Sequence, residues 1–325
     1  MASMSRFIVR RIVQALITIL IVTSVIFILF EAMPGDPTTK FATDFRFRPL
    51  LPRLRAEFGL DEPPVIRYFI YLRNMFTFQF GTSFTYSRPV ADLLAQAIPR
   101  TLILFGGSLI AEYVMGVIIG SYIAWRRGGI SEGATIVSSL FFYNMPSFWI
   151  GIIFLSVFYL TLGWFPSGGF ETILPGGARY EGLQYVVDVL WHLALPFTVL
   201  VLINAAGVIL LMRTSLLEVM GEDYILTAKA KGLPERIVRR RHANRNAYLP
   251  IVTSFTIALA YSIQGAIILE GIFSFFGVGY YFLQAILTQD QFLAGATLYI
   301  ITLLVVFGNI IADMTYAWLD PRVRL

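Results

Sequence analysis

The sequence of 325 residues has no cysteine and only two histidines. Without cysteine there is no disulfide framework, no thiolate-bound zinc and no thiol nucleophile. His192 and His242 have no second metal ligand at a useful spacing, so the sequence predicts neither a metal site nor a cofactor bound by this chain. The phosphate-loop pattern G-x-x-x-x-G-K-[ST] and the hydrolase patterns H-E-x-x-H and G-x-S-x-G are also absent. The chain is therefore not expected to be an enzyme or to hydrolyse ATP itself.

Charged residues are scarce, at 14% of the chain, whereas 57% of the residues are hydrophobic. A soluble domain has about a quarter charged residues, so most of this chain does not face water. Six apolar stretches are long enough to cross a bilayer, and they are roughly 10–30, 101–124, 134–162, 192–212, 251–273 and 292–318. The composition predicts an all-α polytopic membrane protein with six transmembrane helices.

The first stretch follows Arg6, Arg10 and Arg11, as the apolar core of a signal peptide would. Its apolar run over residues 12–30 would form about 28 Å of helix, which is too long for a signal peptide. The run is followed by Met-Pro-Gly-Asp-Pro and not by small cleavage-site residues. We therefore expect an uncleaved N-terminal anchor over residues 1–30.

The distribution of Lys and Arg predicts the orientation. Basic residues are concentrated before the first span, at 125–133, at 213–250 and in the C-terminal tail, but 163–191 has only Arg179 and 274–291 has none. The positive-inside rule then puts both termini and the 213–250 loop in the cytoplasm. The expected location of the chain is the cytoplasmic membrane. Because this pattern explains the net charge of +5, the charge is no sign of nucleic-acid binding. Retention beside anionic lipid of the bilayer is the simplest role for most of these arginines.

The remaining organisation follows from the spans. Residues 31–100 form an extracytoplasmic cap segment, with helices expected around Leu51–Phe58 and from Val65 to about Phe76. Residues 101–325 form a five-helix core that includes the cytoplasmic loop 213–250.

Polar residues inside apolar spans are costly and mark functional candidates. The candidates are Glu112, Asn204, Gln264, Glu270, Asn309 and Asp313. Glu112, Asn204 and Gln264 are predicted to line a translocation pathway, with helix–helix hydrogen bonding as the alternative role. For Asn309 and Asp313 we favour hydrogen bonding to a neighbouring helix.

The basic loop contains EDYILTAKAKGLPERIVRRRHANRNAYLP, residues 222–250, which we call the elbow. Residues 222–231 are predicted to form a short helix, with acidic residues in its first turn and lysines in its last, as the helix dipole favours. Gly232 suits the left-handed position after that helix, and Pro234 suits the first position of a second helix. The pattern predicts two helices joined by a tight turn. A passive loop is the alternative.

Five blocks resemble one family of membrane proteins. YILTAKAKGL and RHANRNAYLP resemble the coupling loop of ATP-binding-cassette importer permeases of the dipeptide, oligopeptide and nickel type. The stretches at 10–37, 58–102 and 269–291 and the closing Leu-Asp-Pro-Arg resemble other segments of that family, in the same order. One departure is that Leu226-Thr227-Ala228 stand where the general importer motif has Glu-Ala-Ala.

This resemblance implies a type I importer permease with an extracytoplasmic insertion between the first and second spans. It implies a homologous second permease subunit, two cytoplasmic ATPase subunits that bind ATP and Mg, and an extracytoplasmic solute-binding protein. It also implies an ATPase-coupling set: Tyr224, Thr227, Ala228, Lys229, Ala230, Lys231, Gly232 and Leu233.

The implied function is one half of an alternating-access pathway for di- or oligopeptides. The same machinery could import oligosaccharides or nickel complexes. The alternatives of another class are a stand-alone ion-coupled carrier, and a structural or receptor protein that transports nothing.

Overall fold

The computed structural model describes residues 4–33, 38, 48–261 and 267–319. Within these ranges the chain is mostly helical. The first helices are α1 (Met4–Glu31), α2 (Leu51–Phe58), α3 (Pro64–Phe76) and α4 (Val90–Trp125), and a two-stranded antiparallel ladder of β1 (Thr82–Ser83) and β2 (Arg88–Pro89) precedes α4. They are followed by α5 (Ile130–Asn144), α6 (Ser147–Phe154) and α7 (Gly182–Met220). The last are α8 (Asp223–Ala230), α9 (Glu235–Ile237), α10 (Asn244–Tyr261), α11 (Ile267–Ile272), α12 (Val278–Leu287) and α13 (Gln291–Leu319).

Among the described residues, four helices are long and apolar enough to cross a membrane. They are Arg6–Glu31, Val90–Trp125, Gly182–Met220 and Gln291–Thr315, and they coincide with four of the six predicted spans. The predicted span at 251–273 falls on α10 and α11, but residues 262–266 between them lie outside the described ranges. The six-span count therefore stays a prediction.

The span predicted at 134–162 is not one straight helix. Its two halves, Ile130–Asn144 and Ser147–Thr161, are bent by 102°. The break lies at Met145 and Pro146, which both have extended backbone angles. Proline lacks the amide hydrogen that an uninterrupted helix needs at this position, and its ring disfavours a helical residue before it. The apolar character of this stretch predicts a span, and the proline within it explains why that span is broken.

The chain divides into two compact units. The first comprises Met1–Leu102 and Ile263–Leu325, and its core joins α1, α2, α4, α12 and α13. The two helices predicted within residues 31–100 are confirmed as α2 and α3 in this unit, and the assignment of this segment as an extracytoplasmic cap stays a prediction. Asp290 links the ladder to α13: its carboxylate accepts a hydrogen bond from Ser83 Oγ at 2.6 Å and one from the backbone amide of Leu293 at 3.2 Å.

The second unit comprises Ile103–Ser262. Helices α4 and α7 pack closely in it because two glycines remove side chains from the contact. A Cβ atom built on Gly120 would lie 2.6 Å from the carbonyl oxygen of Ile209 and 2.8 Å from Cβ of Met212. Gly116 approaches Val208 in the same way, one helical turn earlier. The spacing of these small residues thus serves helix packing in this structure.

Candidate functional site: the elbow and the polar pair

The first arm of the elbow is α8, which ends where the sequence predicts. Asp223 lies in its first turn and Lys229 in its last, so both charges interact favourably with the helix dipole. The hydroxyl of Thr227 donates a hydrogen bond to the carbonyl oxygen of Asp223, one turn earlier in the same helix, at 2.9 Å. Only Gly221 and Glu222 separate α8 from α7, which makes this arm a direct extension of a long apolar helix.

A Schellman turn closes α8. Gly232 has φ +72°, in the left-handed region that the sequence predicts for it. Its amide donates to the carbonyl oxygen of Lys229 at 2.9 Å, and the amide of Leu233 donates to that of Ala228 at 3.4 Å. These two bonds are the pair that defines the motif. Leu233 and Ala228 also belong to the same apolar cluster, so the turn has the hydrophobic contact that accompanies the motif.

The second arm differs in two details from the predicted helix. Pro234 precedes α9 as its capping residue and does not occupy its first helical position. After α9, residues Val238–Ala243 form a π-helical segment before α10 begins at Asn244. Such segments are rare, and their hydrogen bonds join residues five positions apart and not four as in an α-helix. The arm then continues without interruption into α10, so α9 to α10 forms one helical rod from the turn to the predicted fifth span.

The inner face of the elbow is buried against α7. Ile225, Val238, Ala243 and Ala247 are each 0% exposed and cluster with Met212 and Leu216 of α7. Ser215 Oγ on α7 donates to the carbonyl oxygen of Ala247 at 2.9 Å in this interior. The two arms are also joined to each other, because Asn246 Nδ2 donates to the hydroxyl of Tyr224 at 2.7 Å. These contacts make the elbow a packed helical body.

The structure divides the predicted coupling set by exposure. Tyr224, Thr227, Lys229, Ala230, Lys231 and Gly232 are exposed. Ala228 is 5% exposed and Leu233 is half-buried, since both pack on the inner face. Near the turn, the exposed surface also carries Leu226 at 56% and Ile237 at 41% exposed, which are apolar and lie outside the predicted set. Their position on the outer face depends on how α8 and α9 pack, which the sequence pattern does not reveal.

Two further contacts anchor the 125–133 turn beside the elbow. The guanidinium of Arg213 on α7 bonds Glu132 Oε1, with Nη2 at 2.6 Å and Nε at 2.8 Å. The second oxygen of Glu132 accepts the amide of Gly128 at 2.7 Å. On the other side, the guanidinium carbon of Arg239 lies 5.9 Å from the centre of the Trp125 ring. Some of the basic residues of the elbow region therefore have structural partners within this unit.

Two of the three predicted pathway residues are brought together. Glu112 on α4 is 4% exposed, and the side chain of Asn204 on α7 lies beside its carboxyl group, while Asn204 itself is exposed. The pair therefore places a buried carboxyl group next to an exposed amide in the second unit. Gln264, the third candidate, lies outside the described residues.

Two of the other polar residues of the spans, Asp313 and Glu270, have structural partners. Asp313 forms an ion pair with Arg11 of α1 at 3.0 Å, as expected for a helix–helix contact. Glu270 is 1% exposed and caps the start of α12: it accepts bonds from the amide of Tyr280 at 3.0 Å and from Thr101 Oγ1 at 2.8 Å. Thr101 Oγ1 in turn accepts the amide of Val278 at 2.8 Å. Sequence reasoning named Glu270 only as a polar residue and did not find this cap.

Comparison with known proteins identifies the family. The model for the binding-protein-dependent transport system inner membrane component matches residues 116–325, and the N-terminal model for the membrane component of the same systems matches residues 4–105. The chain belongs to this family. It is accordingly a multi-pass membrane protein, and the permease resemblance of its five sequence blocks is confirmed.

Full-length relatives agree with the family match. The permease is 34% identical over 321 residues, 99% of each chain, to a putative peptide transport system permease protein of Brucella abortus (strain 2308). It is 33% identical over 322 residues to the oligopeptide transport system permease protein AppB of Bacillus subtilis (strain 168), covering 99% of this chain and 100% of that one. A probable peptide ABC transporter permease protein of Sinorhizobium fredii is 32% identical over 321 residues.

Proposed function

We propose that this permease is one half of the membrane pathway of an ATP-driven, binding-protein-dependent importer of di- or oligopeptides. A homologous second permease supplies the other half. Two cytoplasmic ATPase subunits bind ATP and Mg, one of them contacts the elbow, and an extracytoplasmic solute-binding protein delivers the peptide. The proposal of peptides as the solute rests on the relatives of AppB type, which match this chain over its whole length.

The observation that carries the proposal is the construction of the elbow. One arm extends from α7 and the other continues into α10, and a Schellman turn holds the two arms together. A displacement applied at the turn would therefore move the ends of two long apolar helices and would not be absorbed by a loose connection. This is the mechanical property that coupling between ATPase closure and alternating access requires.

The exposed face of the elbow has the chemistry of a docking surface. Leu226 and Ile237 offer apolar contacts near the turn, and Lys229 and Lys231 offer positive charge beside them. Apolar anchors within a polar rim are typical of protein interfaces. We propose that the exposed members of the coupling set, together with Leu226 and Ile237, meet a groove on an ATPase subunit.

The polar pair supports a role in the pathway. Asn204 presents its amide at an intramembrane surface and the buried carboxyl group of Glu112 lies beside it, where such polar groups are expensive unless they have a use. Peptides carry amide groups that can exchange hydrogen bonds with a carboxyl–amide pair. We propose that Glu112 and Asn204 contact the peptide in transit, and that Gln264 lies on the same route.

The proposed topology has six spans with both termini in the cytoplasm. Residues 1–30 form the anchor, 31–100 form the extracytoplasmic cap that meets the binding protein, and 101–325 form the core with the loop 213–250. In this arrangement the chain itself does not hydrolyse ATP.

Affinity purification from native membranes in a mild detergent tests the assembly. We expect the tagged permease to co-purify with a second permease and ATPase subunits. Reconstituted vesicles that contain this complex should take up a labelled tripeptide when the binding protein and ATP are supplied, and a labelled trisaccharide should serve as the control solute. A chain that purifies alone and moves solute without an ATPase would overturn the importer assignment. Uptake of the trisaccharide in place of the tripeptide would overturn the choice of solute only.

A further inference from the structure

The first unit contains an aromatic cavity at the C-terminal end of α1. Its volume is about 120 Å³. Side chains from α1, from the cap helices and from the start of α13 line it, including Phe27, Phe30, Phe58, Tyr71, Phe80 and Phe292. The wall is therefore mostly apolar, with Glu31, Arg67 and Gln291 as its charged or amide members.

Two hydrogen-bond donors in this wall have no partner among the described residues. They are Nε of Arg67 and the hydroxyl of Tyr71, and both atoms are buried. The other nitrogens of Arg67 are used, since Nη1 bonds Glu31 Oε2 at 3.0 Å and Nη2 bonds the carbonyl oxygen of Glu62 at 3.2 Å. Arg67 and Tyr71 are four residues apart, so they share one face of α3. A buried donor without an acceptor is costly, which makes an acceptor in the cavity favourable.

The position of the cavity along α1 indicates its depth in the membrane. Arg6–Glu31 has 26 residues, or about 39 Å of helix, which exceeds a hydrocarbon core of about 30 Å and approaches the thickness that includes the headgroup regions. Phe27, Phe30 and Glu31 at its end thus reach the interface between hydrocarbon and headgroups. Only 17% of the most apolar part of this helix is buried within the chain. Ile28 and Leu29 beside the cavity are 62% and 58% exposed.

We propose that this cavity binds the ester region of a membrane phospholipid. An ester carbonyl accepts hydrogen bonds and donates none, which matches the unpaired donors of Tyr71 and Arg67 once a side-chain rotation brings these buried atoms into the cavity. The methylene groups next to the ester would contact the aromatic wall. Ester carbonyls lie at the interface between hydrocarbon and headgroups, the depth that α1 assigns to the cavity.

The test compares two phosphatidylglycerols with the same chains and headgroup, one ester-linked and one ether-linked. Binding to the purified permease complex is measured by native mass spectrometry over a lipid titration. One neutral hydrogen bond corresponds to about a 2- to 10-fold change in affinity, so the ester-linked lipid should bind at least that much more tightly. Tyr71→Phe should reduce this preference by about the 2- to 10-fold that one neutral hydrogen bond supplies, and the bond from Arg67 should maintain the remainder.

Tyr68→Phe is the matched control. Tyr68 lies on the same helix, but its hydroxyl already bonds Ser24 Oγ at 2.7 Å and it does not line the cavity. We expect this variant to keep the ester preference. The thermal stability of Tyr71→Phe in lipid-free detergent separates lost binding from lost folding: removal of an unpaired hydroxyl should leave it unchanged or raise it.

Three outcomes would overturn the proposal. They are equal affinity for the two lipids in the wild-type complex, an unchanged preference in Tyr71→Phe, and displacement of the ester-linked lipid by a tripeptide at transport concentrations. The first two would mean that water alone satisfies the two donors, and the third would mean that the cavity is a solute site.

Discussion

Replacing Gly232 with alanine should weaken the joint between the two arms of the elbow without crowding any neighbour. A Cβ atom at this position would meet nothing within 4 Å, so the only cost is the backbone conformation at φ +72°. An L-residue in the left-handed region costs about 1–2 kcal/mol. That energy corresponds to about a 5- to 30-fold change in the population of the native turn. Gly232→Asn is the matched variant, because asparagine adds a larger side chain yet tolerates the left-handed region better.

The assay is ATP hydrolysis by the reconstituted complex, stimulated by the solute-loaded binding protein, together with solute uptake. We expect Gly232→Ala to reduce both several-fold while the unstimulated hydrolysis rate, which belongs to the ATPase subunits, stays the same. Gly232→Asn should retain most of the wild-type stimulation. If alanine and asparagine reduced stimulation equally, side-chain bulk at a docking surface would be responsible and not turn geometry. If neither changed it, the rigid joint would have no role in coupling.

The remaining predictions concern the second unit. Gly120→Ala forces a Cβ against the Ile209 carbonyl oxygen and should lower the free energy of unfolding of the purified chain by about 1–3 kcal/mol. The control is Gly106→Ala on the same helix, where a Cβ meets nothing within 4 Å and the change should be neutral or slightly stabilising. Equal effects of the two substitutions would refute the close α4–α7 contact. Ser215→Ala removes the buried bond to the Ala247 carbonyl oxygen and should cost about 0.5–1.5 kcal/mol in the same measurement. Thr214→Ala is its control, since that exposed hydroxyl bonds only the Leu210 carbonyl oxygen of its own helix, and an equal loss there would count against the elbow contact. Glu112→Gln replaces the titratable carboxyl group with an amide and keeps a hydrogen-bonding side chain beside Asn204, and it should change the relative uptake rates of neutral and charged tripeptides in vesicles. Unchanged rates for every peptide would assign the pair to helix packing.

Local features of the elbow could be predicted from the sequence because they depend on neighbouring residues. The dipole-matched ends of α8 and the left-handed position of Gly232 need only a few consecutive side chains, and the structure has both. The π-helical segment at Val238–Ala243 is different. It accompanies the burial of Val238 and Ala243 against α7, and that packing is not visible in a local pattern.

Contacts between distant parts of the chain mark the limit of sequence reasoning. Glu112 and Asn204 were each predicted as pathway residues from their polarity inside a span, but their pairing depends on the packing of α4 against α7. The cap that Glu270 and Thr101 form over α12 depends on tertiary packing in the same way. The bend at Pro146 is the opposite case, since the proline stands in the sequence and its effect on a straight span follows from local geometry.

Site-directed cross-linking tests most directly whether the elbow is the surface that meets the ATPase. The chain has no cysteine of its own, so each variant carries a single thiol. Lys229→Cys places that thiol on the exposed face of α8, and Leu183→Cys places it at an exposed position at the other end of α7 as the control. The account predicts that a bifunctional thiol reagent joins the Lys229→Cys chain to an ATPase subunit, with a yield that changes when ATP is added, and that the Leu183→Cys chain forms no such product. An intact complex in which the elbow thiol forms no product with any ATPase subunit, with or without ATP, would contradict it.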